Sequence, residues 1–194
     1  MLKKLLLITG VSLATFACST KTEEDKEAPI NDSIALSNPA QSELNSNQSA
    51  LLQTIIGTTT PESIIRGVSF GDPISKVKAT ETFEMFEEMG DHLGYTFETP
   101  QFETIDVQYF TGKDQKVNKI TIDVYLNSAD ATKQLWEAGK KHFSEIYESP
   151  KQDGQILIWN KKSVRVNMEN VSTGKDFGLK LEFLPAGSNA LAHQ

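Results

Sequence analysis

Residues 105–126 read Ile-Asp-Val-Gln-Tyr-Phe-Thr-Gly-Lys-Asp-Gln-Lys-Val-Asn-Lys-Ile-Thr-Ile-Asp-Val-Tyr-Leu. Ile105, Val107 and Tyr109 alternate with Asp106, Gln108 and Phe110, and Ile120, Ile122, Val124 and Leu126 alternate with Thr121, Asp123 and Tyr125. A period of two places one set of side chains on a buried face and the other on an exposed face, so each run predicts a strand with one apolar side. Thr111-Gly112-Lys113-Asp114-Gln115 between them is turn chemistry and closes a hairpin. With the alternations in register, Val107 is expected opposite Ile120 and Ile105 opposite Ile122. The polar side then sets Asp106 against Thr121 and Gln108 against Lys119.

The same patterns extend outward. Leu93, Tyr95 and Phe97 alternate with Gly94, Thr96 and Glu98 and predict a preceding strand. Before it, Asp72-Pro73 is a helix start, and the helix is expected to run to about Met89, where Gly90 stops it, with Thr80 and Thr82 as the places where it could break into two pieces. After the hairpin, Asn127 or Ser128 caps a helix to about Tyr147, with Leu135, Trp136, Gly139, Phe143 and Ile146 on its apolar side. Three more strands follow: Ile156 to Trp159, then Val164, Val166 and Met168, then Phe177, Leu179, Leu181 and Phe183. Helix-strand-strand-strand thus occurs twice, the second and third strands offset by about 58 residues. The expected fold is α+β: two tandem α-β-β-β units forming one antiparallel six-stranded sheet with two helices on its apolar face. In the second unit Arg165 is expected opposite Glu182 and Asn167 opposite Lys180, and the open polar face is the surface to inspect first.

The 194 residues suit one modest domain plus a tail. From residue 18 to 57 the chain is rich in Ser, Asn, Glu, Gln, Lys, Thr and Pro and lacks the apolar surface to offset ordering entropy, so it reads as a tether. Within it, Ala50 to Gly57 is more apolar and reads as a short helix or strand that docks onto the domain. The domain is expected over 58–185, with 186–194 a disordered tail. A pI near 5.0 and a net charge of −7 argue against a nucleic-acid partner, which requires clustered positive charge. One Cys excludes an intramolecular disulfide, a CxxC pair and a multi-Cys zinc site.

Residues 1–17 read as a signal peptide: Lys3 and Lys4, an apolar run from Leu5 to Phe16, then Ala17 before Cys18. Thr15-Phe16-Ala17-Cys18 resembles the lipobox of bacterial lipoproteins. That resemblance implies that Cys18 is acylated and becomes the first residue of the mature chain, anchoring it to a membrane. Ser19 after the Cys resembles the sorting signal for the outer membrane, and Glu23-Glu24-Asp25 resembles a short acidic surface-export tract. Asp32-Ser33-Ile34 resembles an O-glycosylation acceptor.

Gly67-Val68-Ser69-Phe70-Gly71 with Ser75-Lys76-Val77, and Tyr147-Glu148-Ser149-Pro150 at the second helix end, resemble uncharacterised exported bacterial proteins. Glu148 stands where those proteins usually carry Gly. More distantly, the layout resembles helix-plus-sheet modules of β-lactamase-inhibitor type and small lipoproteins of the outer-membrane assembly machinery, which bind other proteins.

No G-x-S-x-G, H-E-x-x-H, Walker A or G-x-G-x-x-G pattern occurs, so no residue is assigned a catalytic role and no cofactor or metal is expected. Glu81, Glu84, Glu87, Glu88 and Asp91 spread around a helical circumference and read as a solvated face. Asp106 and Asp123, on adjacent strands of the open face, are the candidates for paired carboxylates. His142 reads as half-buried packing, Trp136 and Trp159 as core, and Lys133, Lys140 and Lys141 as a small basic patch. The binding candidates are Arg165, Asn167, Lys180, Glu182, Asp106 and Asp123. Together these predict a non-enzymatic lipoprotein of the outer membrane, held by lipid at Cys18 and binding an envelope protein or component. The alternatives are an envelope hydrolase using Asp106 and Asp123, and a small-ligand carrier with a pocket between helices and sheet.

Overall fold

The computed structural model describes residues 39–187, with side chains from residue 47. The signal peptide, Cys18, the acidic tract, Ser33 and residues 188–194 lie outside the described residues.

Helix α1 spans Pro39–Ile56, inside the stretch expected to be tether. Leu51, Leu52, Ile55 and Ile56, all buried, form one stripe of this helix and enter the main core. All four lie within Ala50–Gly57, the end of that stretch expected to dock onto the domain. Gly57 ends the helix at φ +63, the left-handed conformation glycine adopts at little cost.

Helix α2 is shorter than expected, Ile74–Thr80. Asp72 does not cap it: its Oδ2 accepts from the Ser69 amide at 2.7 Å and faces Lys76 Nζ at 2.8 Å. The helix stops because Glu81 turns inward and its Oε1 accepts from the amides of Thr82 (2.7 Å) and Phe83 (3.0 Å), so the chain leaves extended. The residues beyond it form strand β1, Glu84–Glu88, instead of further helix. Cross-strand pairing overrides the helix propensity of Glu and Met there.

Strands β2 (His92–Glu98), β3 (Thr104–Thr111) and β4 (Val117–Leu126) follow, then helix α3 (Ala129–Tyr147), then β5 (Lys151–Asp153), β6 (Ile156–Lys161), β7 (Val164–Asn170) and β8 (Phe177–Pro185). Ser128 caps α3, its side chain accepting from the Ala131 amide at 3.1 Å. The strands form one antiparallel sheet in the order β1-β2-β3-β4-β8-β7-β6-β5. The α+β class stands, but eight strands replace the expected six and the tandem α-β-β-β layout is corrected. Each half is a four-stranded meander, and the two join where β4 pairs with β8.

Both expected registers slip by two residues. Val107 pairs with Ile122 and Ile105 with Val124, so Asp106 faces Asp123 rather than Thr121, and Gln108 faces Thr121 rather than Lys119. Asn167 pairs with Glu182, Arg165 with Leu184 and Glu169 with Lys180. In the first hairpin an irregularity between Phe110 and Thr111 and a turn over Gly112–Lys116 set the offset; in the second, Thr173 and Asp176 close a tight turn across Gly174 and Lys175. A slip of two keeps each residue on its expected face while changing its neighbours.

Leu93, Tyr95, Ile105, Val107, Tyr109, Ile120, Ile122, Val124, Leu157, Trp159, Val166, Met168, Leu179, Leu181 and Phe183 make the apolar face. On it, Phe143 of α3 packs against Trp159 and Phe183 at centroid distances of 5.6 and 5.9 Å. Leu52 and Ile55 of α1 share a small internal void with Val124, Leu179 and Leu181. A Cβ at Gly139 would come within 2.8 Å of Met168 Sδ, so the glycine lets α3 sit close to the sheet.

Candidate functional site

The helices cover one face, and the other carries the side chains that alternate with the core set. Across the middle strands they form two rows. Thr96, Asp106, Asp123, Lys180 and Glu169 make one row, and Gln108, Thr121, Glu182 and Asn167 make the next. All six predicted binding residues lie on this face, brought together by the β4–β8 seam.

The side chains hold one another in place. Thr96 Oγ1 donates to Asp106 Oδ1 at 2.6 Å, and Lys180 Nζ lies 3.7 Å from Asp123 Oδ1. Arg165 Nε donates to Asn167 Oδ1 at 3.1 Å, Asn167 Nδ2 to Glu182 Oε2 at 3.4 Å, and Thr121 Oγ1 to Gln108 Oε1 at 3.3 Å. Burial pushes the Asp123 carboxyl up from its ordinary value; Lys180 opposes this, while the facing Asp106 and nearby Glu182 add to it. Burial lowers the Lys119 ammonium, against the pull of Glu182. Its Nζ lies 3.8 Å from the Phe110 ring centre, and Phe110 stacks on His92 at 5.3 Å. Tyr125 is exposed on the same face.

A second polar cluster lies on the roofed side, and periodicity gave no sign of it. The Arg66 guanidinium is buried, with Nε donating to Glu81 Oε2 at 2.8 Å and Nη1 to the Thr54 carbonyl at 2.6 Å near the end of α1. Its carbon sits 3.7 Å from the Phe83 ring centre, and Tyr109 Oη donates to Glu81 Oε2 at 2.6 Å. Burial alone would raise the Glu81 carboxyl, but hydrogen bonds from Arg66 and Tyr109 hold it below its ordinary range. Burial and the Glu81 charge push the Tyr109 phenol up. The cluster ties α1, the α2–β1 junction and β3 together, which is a structural task. The one sequence signal was an arginine inside Ile64-Ile65-Arg66-Gly67-Val68.

Of the other singled-out residues, Trp159 is fully buried and Trp136 half-buried. Trp136 lines a cleft of about 390 Å³ with Lys133, Gln155, Asn170, Ser172 and Phe177. Burial lowers the pKa of half-buried His142, with Glu145 opposing. The acidic residues read as one helical face are divided: Glu81 is buried, Glu84, Glu87 and Glu88 lie on β1, and Asp91 is in the β1–β2 turn, where its Oδ1 lies 2.9 Å from His92 Nδ1. Among the described residues no group of three or more His, Cys, Asp or Glu side chains is arranged to hold a metal, and no helix is long and apolar enough to cross a membrane.

No protein-family model matches the chain, and no curated protein or solved structure matches it at a significant level.

Proposed function

We propose that the chain is an outer-membrane lipoprotein, anchored by acylated Cys18, whose folded domain binds an envelope protein through the open face of its sheet without catalysing a reaction. The observation that carries this reading is the set of side-chain contacts, within and between strands, on that face. Arg165, Asn167 and Glu182 form a chain, and Asp106, Asp123 and Lys180 a row, so their rotamers are largely fixed before a partner arrives. Pre-ordered polar groups lose less entropy on association, and strand-borne groups hold their spacing. The membrane anchor would raise the local concentration of the domain near envelope partners.

The test is crosslinking in intact cells with three forms of the full chain. The unsubstituted chain is expected to capture a defined partner. Lys180→Glu combined with Arg165→Glu should lose that partner with folding retained, and Cys18→Ala should leave the membrane fraction without unfolding. Persistence of Cys18→Ala in the membrane fraction contradicts the anchor, and undiminished capture by the double charge reversal contradicts the open face.

The direct opposition of Asp106 and Asp123, with the latter's pKa raised, is the observation that favours the hydrolase reading. Replacing both by Asn separates the two: loss of a turnover activity supports the hydrolase, and loss of partner capture alone supports the binder. The cleft beside Trp136 is the corresponding place for a carried ligand, which native mass spectrometry of the purified chain would reveal as added mass.

A further inference from the structure

Strand β1, Glu84–Glu88, is the outermost strand on its side of the sheet, and among the described residues it pairs with β2 alone. The turn between them, through Met89, Gly90 and Asp91, is anchored to the far side of β2 by uncharged groups. The Thr111 amide donates to the Asp91 carbonyl at 2.8 Å, and Gln115 Nε2 donates to the Gly90 carbonyl at 3.1 Å. The side-chain tie from β2 to β1 is of another kind. His92, the first residue of β2, stands between two carboxylates: its Nε2 lies 2.9 Å from Glu87 Oε2 on β1, and its Nδ1 lies 2.9 Å from Asp91 Oδ1 in the turn.

An ionised carboxylate only accepts, so each contact requires a proton on the ring nitrogen it meets. Neutral imidazole carries one N–H and the imidazolium carries two, so only the charged ring satisfies both carboxylates. On deprotonation one nitrogen turns a lone pair toward a carboxylate, and the bond that survives is no longer charge-assisted. From β3, Phe110 stacks on the His92 ring at 5.3 Å. Lys119 of β4, with its Nζ 3.8 Å from the centre of the Phe110 ring, adds an opposing positive charge. The hydrogen bonds to Glu87 and Asp91 outweigh burial and raise the His92 pKa above its ordinary value.

We propose that His92 is a proton-dependent clasp: as imidazolium it fastens β1 to the rest of the sheet through Glu87, and on losing its proton it lets β1 open more often. Of its two partners only Glu87 lies on the other strand. Asp91 is the neighbour of His92 in sequence, and its carboxylate, 78% exposed, remains beside the ring when β1 opens, so it tunes the clasp without fastening β1. The sign follows from the raised pKa. The attachment is present below the pKa that His92 has with β1 open, and it is lost as pH rises through the higher pKa of the closed form. The clasp does not rest on the open face being the partner-binding surface, and each can fail without the other.

The test follows the His92 ring signals of the full chain by NMR from about pH 5 to about pH 8. Over the same interval, hydrogen exchange is read at the Met89 amide, which donates to the His92 carbonyl at 2.9 Å, and corrected for its intrinsic pH dependence. The Asn170 amide, which donates to the Gln155 carbonyl in the other half of the sheet, reports global unfolding. Opening at Met89 is expected to rise with pH while opening at Asn170 does not. The rise should be about tenfold for each unit by which the His92 pKa exceeds that measured in Glu87→Gln. Glu87→Gln should lower the His92 pKa and abolish most of the rise, whereas Asp91→Asn should lower the pKa and leave the rise in place. A ring that titrates at its ordinary value, opening at Met89 that does not change with pH, a change shared equally by Asn170, or an undiminished rise in Glu87→Gln would each overturn the clasp.

Discussion

The halves of the sheet on either side of the β4–β8 seam have mirrored strand order, yet different chemistry holds them to the helices. On the β5–β8 side, Phe143 of α3 meets Trp159 and Phe183, and the attachment is aromatic and apolar. On the β1–β4 side, a buried ion pair between Arg66 and Glu81, joined by Tyr109, ties β3 to the end of α1. Apolar packing contributes at any pH, whereas a buried ion pair contributes only while both members are charged. One architecture can therefore contain one half attached by aromatic packing and another attached through a buried ion pair.

Four substitutions sharpen the contrast, each read by urea unfolding. Trp159→Ala removes a wholly buried side chain from the aromatic cluster and should cost about 4 kcal/mol, with little dependence on pH. Glu81→Gln leaves Arg66 charged and buried, and should cost about 3 kcal/mol at neutral pH. Because the Glu81 carboxyl is depressed in the folded chain, its stabilisation is present above its unfolded pKa and is lost as pH falls through the folded one. The curves of Glu81→Gln and the unsubstituted chain should therefore converge in acid, and parallel curves would count against the ion pair.

A smaller effect is expected where α3 ends. Glu148 has φ +72 and ψ −163, a conformation favourable for Gly and strained for other residues. Glu148→Gly should stabilise the chain by about 1 kcal/mol. Smaller still is Asp123→Asn, which relieves the opposition with Asp106 at the loss of the Lys180 contact and should gain about 0.5 kcal/mol at neutral pH. The raised folded pKa of Asp123 makes its ionised form a cost, present above that pKa and absent below the unfolded one. The gain should thus disappear as pH falls.

The comparison also explains what the sequence disclosed. Alternation marked five of the eight strands and assigned their residues to faces, because period two depends only on local chemistry, and the apolar run Ile156 to Trp159 marked a sixth. It did not mark neighbours: the two-residue slip that places Asp106 against Asp123 is set by turn geometry at Gly112–Lys116 and Thr173–Asp176. β1 was read as helix because Glu-Met-Phe-Glu-Glu has no alternation, and only pairing with β2 extends it. Most of α1 was read as tether because Ser, Asn and Gln dominate it, and only the Ala50–Gly57 end, expected to dock, carried its apolar stripe. The Arg66–Glu81 pair joins residues whose contact depends on tertiary folding, and no spacing rule reports it. Glu148, too, has a positive φ that no side-chain periodicity reports.

The most direct test of the account places a photo-reactive side chain at Lys180 on the open face and, separately, at exposed Glu145 on α3, in intact cells. The account predicts one defined crosslinked product from position 180 and none from 145. A product from 145 alone would contradict the assignment of recognition to the side of the sheet away from the helices.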